Sequence, residues 1–196
     1  MGMKNEMSDA HLVRAYRSGD DSAFETLYRR YERPLFSFIL RFVGNRESAE
    51  DLIQLIWMKV LKGLPGYRER DKFGSWLFGI ANNCCIDHVR GNARKQIDDL
   101  VSSDKMDQIP DIDPEPEGGL MQNELNACLH LAIQELPDEQ KQVVLLRLYS
   151  ELPFKEIARI AGSSLNTVLG RMHYAVRNLR KTLQTTYGED FSNVLS

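Results

Sequence analysis

Between Ser163 and Arg177 the side chains sort into two sets when the stretch is wound as a helix at about 100° per residue. Leu165, Val168, Met172, Val176 and Leu179 cluster on one side, and Asn166, Thr167, Gly170, His173, Tyr174 and Arg177 lie across from them. A face meant only for water is usually built from Glu, Lys and Gln. This one mixes donors, acceptors and one absent side chain, the set that reads base edges by hydrogen bonding. Asn166, Thr167, Gly170, Arg171, His173 and Tyr174 are the candidates for a DNA major groove, with Ser164, Arg177 and Lys181 nearer phosphates. Ser163, Ser164, Asn166 and Thr167 stand at the N-terminal end, where the helix dipole and free N–H groups favour phosphate.

A second group lies upstream. Tyr67, Arg68 and Phe73 supply rings and a cation of the kind that hold unstacked bases. Asn83, Asp87 and Arg90, spaced by four and three, share one helix face, which taken alone reads as a solvated hydrogen-bonding face. Trp76, Leu77 and Ile80 read as core. A metal or redox centre on Cys84, Cys85 and His88 is the third chemistry to weigh. Adjacent helical cysteines point about 100° apart and do not easily ligate one ion together with His88. The histidines at 11, 88, 130 and 173 show no pairing. No catalytic constellation emerges, and no cofactor or metal is called for.

These residues need helices to hold them. Ala158, Gly162 and Val168 have the spacing of a helix-turn-helix: a small residue where two helices meet, a glycine for the turn, and a branched residue sealing the pair. Leu136-Pro137-Asp138 and Leu152-Pro153 each open a helix. In the N-terminal half, possible capping boxes at Ser22 to Glu25 and Ser48 to Asp51, a cap at Ser75, and breaks at Gly44-Asn45 and Pro65-Gly66 predict four or so helices. One of them, Ala49 to Leu64, is apolar over far more than a ~100° stripe, so it is either the centre of its bundle or touches a core and a partner at once. No strand-like alternation persists, and the predicted fold is all-α.

The segment IPDIDPEPEGG holds three of the seven prolines and no apolar periodicity, the composition of an extended, self-repelling linker. It divides the chain into a helical domain over 8–95, an acidic flexible linker over 96–120, a second helical domain over 121–185 and a tail over 186–196. Charge follows the same division. The net charge is −3, yet Asp98 to Glu117 carries eight carboxylates against Lys105, which leaves the rest of the chain at +4. From Lys141 to Lys181, eight basic residues face Glu151 and Glu156. That local excess suits a polyanion, because attraction to phosphate is screened within ~8 Å at physiological salt. No apolar run approaches the ~20 residues of a membrane span, so no direct membrane insertion is expected. Three cysteines, two of them adjacent, are a poor disulfide framework and suit a cytoplasmic setting.

Three motifs in this order carry a resemblance: AEDLIQ followed by Trp57, then WLFGIANNCCIDHVR, then LPDEQKQVVLLRLYSELPFKEIARIAGSSLNTVLGRM. From roughly Asp20 to Leu183, the linker aside, the chain resembles the bacterial alternative sigma factors of the extracytoplasmic-function type, the small two-domain group of the sigma-70 family. The resemblance implies that 8–95 is a sigma-2 domain and 121–185 a sigma-4 domain. It implies docking of Asp51, Gln54, Leu55, Trp57, Met58 and Leu61 on the clamp of core RNA polymerase. Tyr67, Arg68, Phe73, Asn83, Asp87 and Arg90 would then take the minus-ten promoter strand, and Ser163, Ser164, Asn166, Thr167, Gly170, Arg171, His173, Tyr174 and Arg177 the minus-thirty-five duplex. An anti-sigma factor is an implied further partner. Where many members carry a basic residue and a serine, this chain has Leu169 and Gly170. The rival reading is a free-standing helix-turn-helix regulator whose N-terminal half senses or dimerises, and which binds duplex DNA without polymerase.

Overall fold

A computed structural model describes residues 7–68, 72–99 and 128–187. Among these residues every regular element is helical: α1 (Asp9–Arg17), α2 (Asp21–Val43), α3 (Arg46–Gly63), a 3-10 turn (Leu64–Gly66), α4 (Phe73–Asp99), α5 (128–134), α6 (Asp138–Ser150), α7 (Phe154–Ile160) and α8 (Leu165–Tyr187). The linker from residue 100 onward and the tail from 188 lie outside the described residues; α4 itself runs to Asp99, past the expected domain end at 95.

The breaks fall where Gly44-Asn45, Pro65-Gly66, Pro137 and Pro153 predict them, but the caps differ in detail. Asp20, not Ser22, caps α2, its Oδ1 accepting from Ser22 N at 3.0 Å and from the Ser22 hydroxyl at 2.6 Å. Asn45, not Ser48, caps α3, its Oδ1 accepting from Ser48 N at 2.8 Å. In both places a side-chain oxygen two or three residues upstream reaches the free N–H groups first, and the serine becomes the donor. Ser75 is not a cap either: α4 begins at Phe73 and Ser75 is buried inside its first turn.

α2 is the hub, packed on α1, α3, α4 and α6. Phe38 stacks edge-on against Phe78 at 5.5 Å, and Trp57 packs on Tyr28 at 4.9 Å and Phe24 at 5.7 Å. Five consecutive residues of α6, Gln142 to Leu146, are buried, which no one-faced helix can do. α6 packs against four helices at once, α2, α4, α7 and α8. The two helical halves therefore share one apolar core, from Leu12 to Leu183.

Candidate nucleic-acid interface

On α3 the residues Asp51, Gln54, Leu55, Met58 and Leu61 all point outward, and Leu55, Met58 and Leu61 are 40%, 52% and 38% exposed. Their spacing of three and four makes one continuous row, apolar in its centre. Trp57 departs from the expectation. It is only 6% exposed and held between Phe24 and Tyr28, because it sits on the flank of α3 that meets α2. It supports the row from beneath.

Below α3, Arg17 fastens the chain as it leaves the helix, donating from Nε and Nη2 to the Leu64 carbonyl at 3.1 and 2.6 Å and from Nη2 to the Tyr67 carbonyl. Tyr67 lies on Trp76 with ring centroids 4.7 Å apart, and Arg68 is exposed. Gly63 lets this aromatic layer close: a Cβ there would stand 2.9 Å from Trp76 Cζ2. Phe73 does not offer a plane to a base. It is 2% exposed, wedged among Tyr31, Tyr67 and Trp76, so its contribution is to seat Tyr67 and Trp76. Residues 69–71 lie outside the described residues. On α4, Asn83, Asp87 and Arg90 share an exposed face as their spacing predicts. Their neighbour Asn82 is buried, its Oδ1 accepting from Gln142 Nε2 at 2.9 Å.

The helix-turn-helix is built as its spacing predicts. Ala158 and Val168 are buried, Gly162 has φ +60°, and Ser163 N donates to the Ala158 carbonyl at 3.0 Å. Ser164 opens α8, its Oγ accepting from Thr167 N at 3.1 Å. Asn166, Thr167, His173, Tyr174 and Arg177 are exposed, and Gly170, half-buried, has open space where a side chain would stand. The Arg177 guanidinium lies 4.7 Å over the Tyr174 ring, whose other neighbour is His173 at 5.6 Å.

Two expectations for this helix are corrected. The buried stripe is Val168, Ala175, Leu179 and Leu183 with Met172 half-buried, while Leu165 and Val176 are exposed; α8, which packs on α6 and α7, is turned so that the small Ala175 faces inward. Arg171 is drawn inward, its side chain 19% exposed, with Nη2 2.7 Å from Glu139 Oε2 and Nη1 donating to Ser163 Oγ at 2.9 Å. A nearby carboxylate and hydroxyl satisfy the guanidinium, so in this state neither Arg171 nor Ser163 extends toward a groove.

The three would-be metal ligands do not converge. Cys84 Sγ lies 3.2 Å from Lys59 Nζ, His88 Nε2 lies 2.9 Å from Asn92 Nδ2, and the buried Cys85 thiol is pushed up by desolvation and then by its neighbour Cys84. Among the described residues no three His, Cys, Asp or Glu side chains gather as an ion site.

Residues 27–95 match Sigma-70 region 2 and residues 132–181 match Sigma-70, region 4. The RNA polymerase sigma-H factor of Pseudomonas aeruginosa is 28% identical over 188 residues, covering 93% of this chain and 97% of that one. The ECF RNA polymerase sigma factor SigW of Bacillus subtilis is 27% identical over 187 residues, covering 91% and 98%. The chain belongs to the sigma-70 family, in its extracytoplasmic-function group. Two solved structures share the fold of this sigma factor. One is the sigma factor RpoE with the anti-sigma factor NepR from Bartonella quintana, with TM-score 0.70, 21% identity, 83% of this chain and 98% of that one. The other is CnrH with the cytosolic domain of CnrY, with TM-score 0.67, 20% identity, 92% and 99%. The region 2 match displaces the reading of the N-terminal half as a separate sensing or dimerising domain.

Proposed function

We propose that the protein acts as an RNA polymerase sigma factor, binding core polymerase, directing it to particular promoters and assisting their opening. The observation that carries the division of labour is one chain with an exposed apolar row on α3 and, separately, a helix-turn-helix with an exposed hydrogen-bonding face. On this reading Leu55, Met58 and Leu61 with Asp51 and Gln54 dock on the polymerase clamp, and Trp57 holds their helix in place. Tyr67 and Arg68, with the α4 face of Asn83, Asp87 and Arg90, take the minus-ten strand once it is single, where stacking on an aromatic ring offsets part of the cost of unstacking a base. Asn166, Thr167, His173, Tyr174 and Arg177 meet the minus-thirty-five duplex, with Gly170 leaving room for close approach. Each half alone holds its element weakly; carried on one polymerase, the second contact becomes intramolecular.

The protein contributes binding and no bond chemistry; phosphoryl transfer belongs to the polymerase. It works where polymerase works, in the cytoplasm, and among the described residues no helix is long and apolar enough to cross a membrane. An anti-sigma factor that covers the α3 row is the expected regulator, supported by the exposure of Leu55, Met58 and Leu61. The deciding experiment is run-off transcription with purified core polymerase on genomic fragments. Defined start sites that depend on the added protein are expected, and their absence with every bacterial core enzyme tried would refute the reading.

A further inference from the structure

Two leucines in the first turns of α8 have no place in the core. Leu165 opens the helix and Leu169 follows four residues later, 43% and 42% exposed. At that spacing their side chains are neighbours and form one apolar surface. Its position is what gives it meaning. Leu169 stands three residues after Asn166 and four before His173, both exposed, so it borders the hydrogen-bonding face directly. On its other side Gly170 has no atom within 4 Å of the place a Cβ would occupy. The backbone at 170 can therefore come close to a groove and carry the neighbouring leucine toward the groove floor. The N-terminal turns of a recognition helix are the part that meets base edges. Further along α8, Arg177, Arg180 and Lys181 are exposed, at positions suited to phosphate.

The chemistry of a leucine narrows what it can meet there. It has no donor or acceptor, so pressing it on a phosphate strips water from the anion and returns nothing. Among the edges displayed in the major groove one group is apolar, the C5 methyl of thymine. An A·T pair shows that methyl beside the adenine N6 and N7 edge that an asparagine grips in bidentate fashion, and Asn166 is the asparagine next to Leu169. A protein partner seated on the two leucines would cover Asn166 and Gly170 as well, so the same face cannot serve it and a duplex together.

Resting on the sigma-factor reading, we propose that Leu169, with Leu165 beside it, is a specificity-determining residue that covers the C5 methyl of a thymine in the upstream duplex. The test uses the full chain on core polymerase and a promoter recovered by run-off transcription. Thymines of its upstream element are replaced one at a time by deoxyuridine, which removes the methyl and leaves every hydrogen-bonding group in place. At one position at least, the wild type should bind the uridine promoter about fourfold more weakly, the factor that burial of one methyl group supplies. Leu169→Ala should bind thymine and uridine promoters alike at that position, with its melting transition and its core-polymerase affinity unchanged.

A wild type indifferent to every uridine overturns the proposal, and so does a Leu169→Ala protein that keeps the wild-type preference. Equal weakening of Leu169→Ala on both promoters, together with a lower affinity for core polymerase, also overturns it and assigns the leucines to a protein contact. The uridine series on the wild type needs no variant, and decides the matter even if Leu169→Ala does not fold. Absence of any polymerase-dependent start would instead sink the sigma-factor reading. The same uridine series is then run on duplexes that the purified full chain selects from a random library, and failure to select any duplex overturns the methyl contact too.

Discussion

At the scale of single residues, burial separates groups that the one-letter code makes look alike. Trp57 and Met58 are neighbours on an apolar helix, yet one is core and the other surface. Trp57→Ala should cost ~3–5 kcal/mol of stability, because it empties the space between Phe24 and Tyr28. Met58→Glu should leave the melting transition nearly unmoved and weaken core-polymerase binding at least tenfold; thermal melting and a direct affinity measurement on both variants check the split. On α8, Asn166→Ala should cost ~1–3 kcal/mol of discrimination at the upstream element, read as transcription from matched and mutated promoters, with polymerase affinity unchanged. Arg171→Ala should act differently: losing Glu139 and Ser163 as partners loosens the helix-turn-helix itself, so the effect appears in stability as well as in promoter use.

At the scale of elements, the helix-turn-helix depends on one backbone conformation. Gly162 sits at φ +60°, in the left-handed region, with nothing near enough to clash with a side chain. Gly162→Ala should therefore cost only the ~1–2 kcal/mol of that conformation, visible as a lower denaturation midpoint. This turn was readable in advance, since Ala158, Gly162 and Val168 keep a fixed local spacing. The rotation of α8 was not. Leu165, Val176 and Ala175 can all be drawn on an apolar side, and only the packing of α8 on its neighbours α6 and α7 decides that Ala175 goes in and Leu165 and Val176 stay out. The same holds for Ser75: Ser before an apolar run is a good cap signal, and the serine was instead taken by Glu156 and Arg159 from 81 and 84 residues away.

At the scale of the whole molecule, acid is a probe of how the halves are joined. His130 is buried among the residues that bring α5 and α6 to α2, and among the described residues neither ring nitrogen has a hydrogen-bond partner. Burial, then the charges of Arg41 and Lys141, lower it from 6.5 to about 4. The unfolded chain thus takes up the proton first. The stability that the neutral ring permits is whole above 6.5 and is lost as pH falls toward and through 4. Denaturation midpoints should drop between pH 7 and 5, before ordinary carboxylates titrate, and His130→Leu should flatten that slope. A slope unchanged in the variant would mean the imidazole is not enclosed as described. Below about 4.5 the Glu156 carboxylate adds its own loss in the same direction, since its folded value is also depressed.

The residues alone determined the all-helical class, the positions of the breaks, the helix-turn-helix and the shared face of Asn83, Asp87 and Arg90 on α4, because each rests on relations among residues a few positions apart. They also carried the family, through three motifs in order. What only the tertiary structure decided is which half of each helix meets another helix, and that the two halves pack against each other across Lys72, Asn82, Gln142 and Glu156. Those are isolated polar residues with no periodicity, and their partners lie 60 or more positions away. Local pattern is written in short spacing; a contact between distant polar groups exists only once the apolar core has brought them within hydrogen-bond reach.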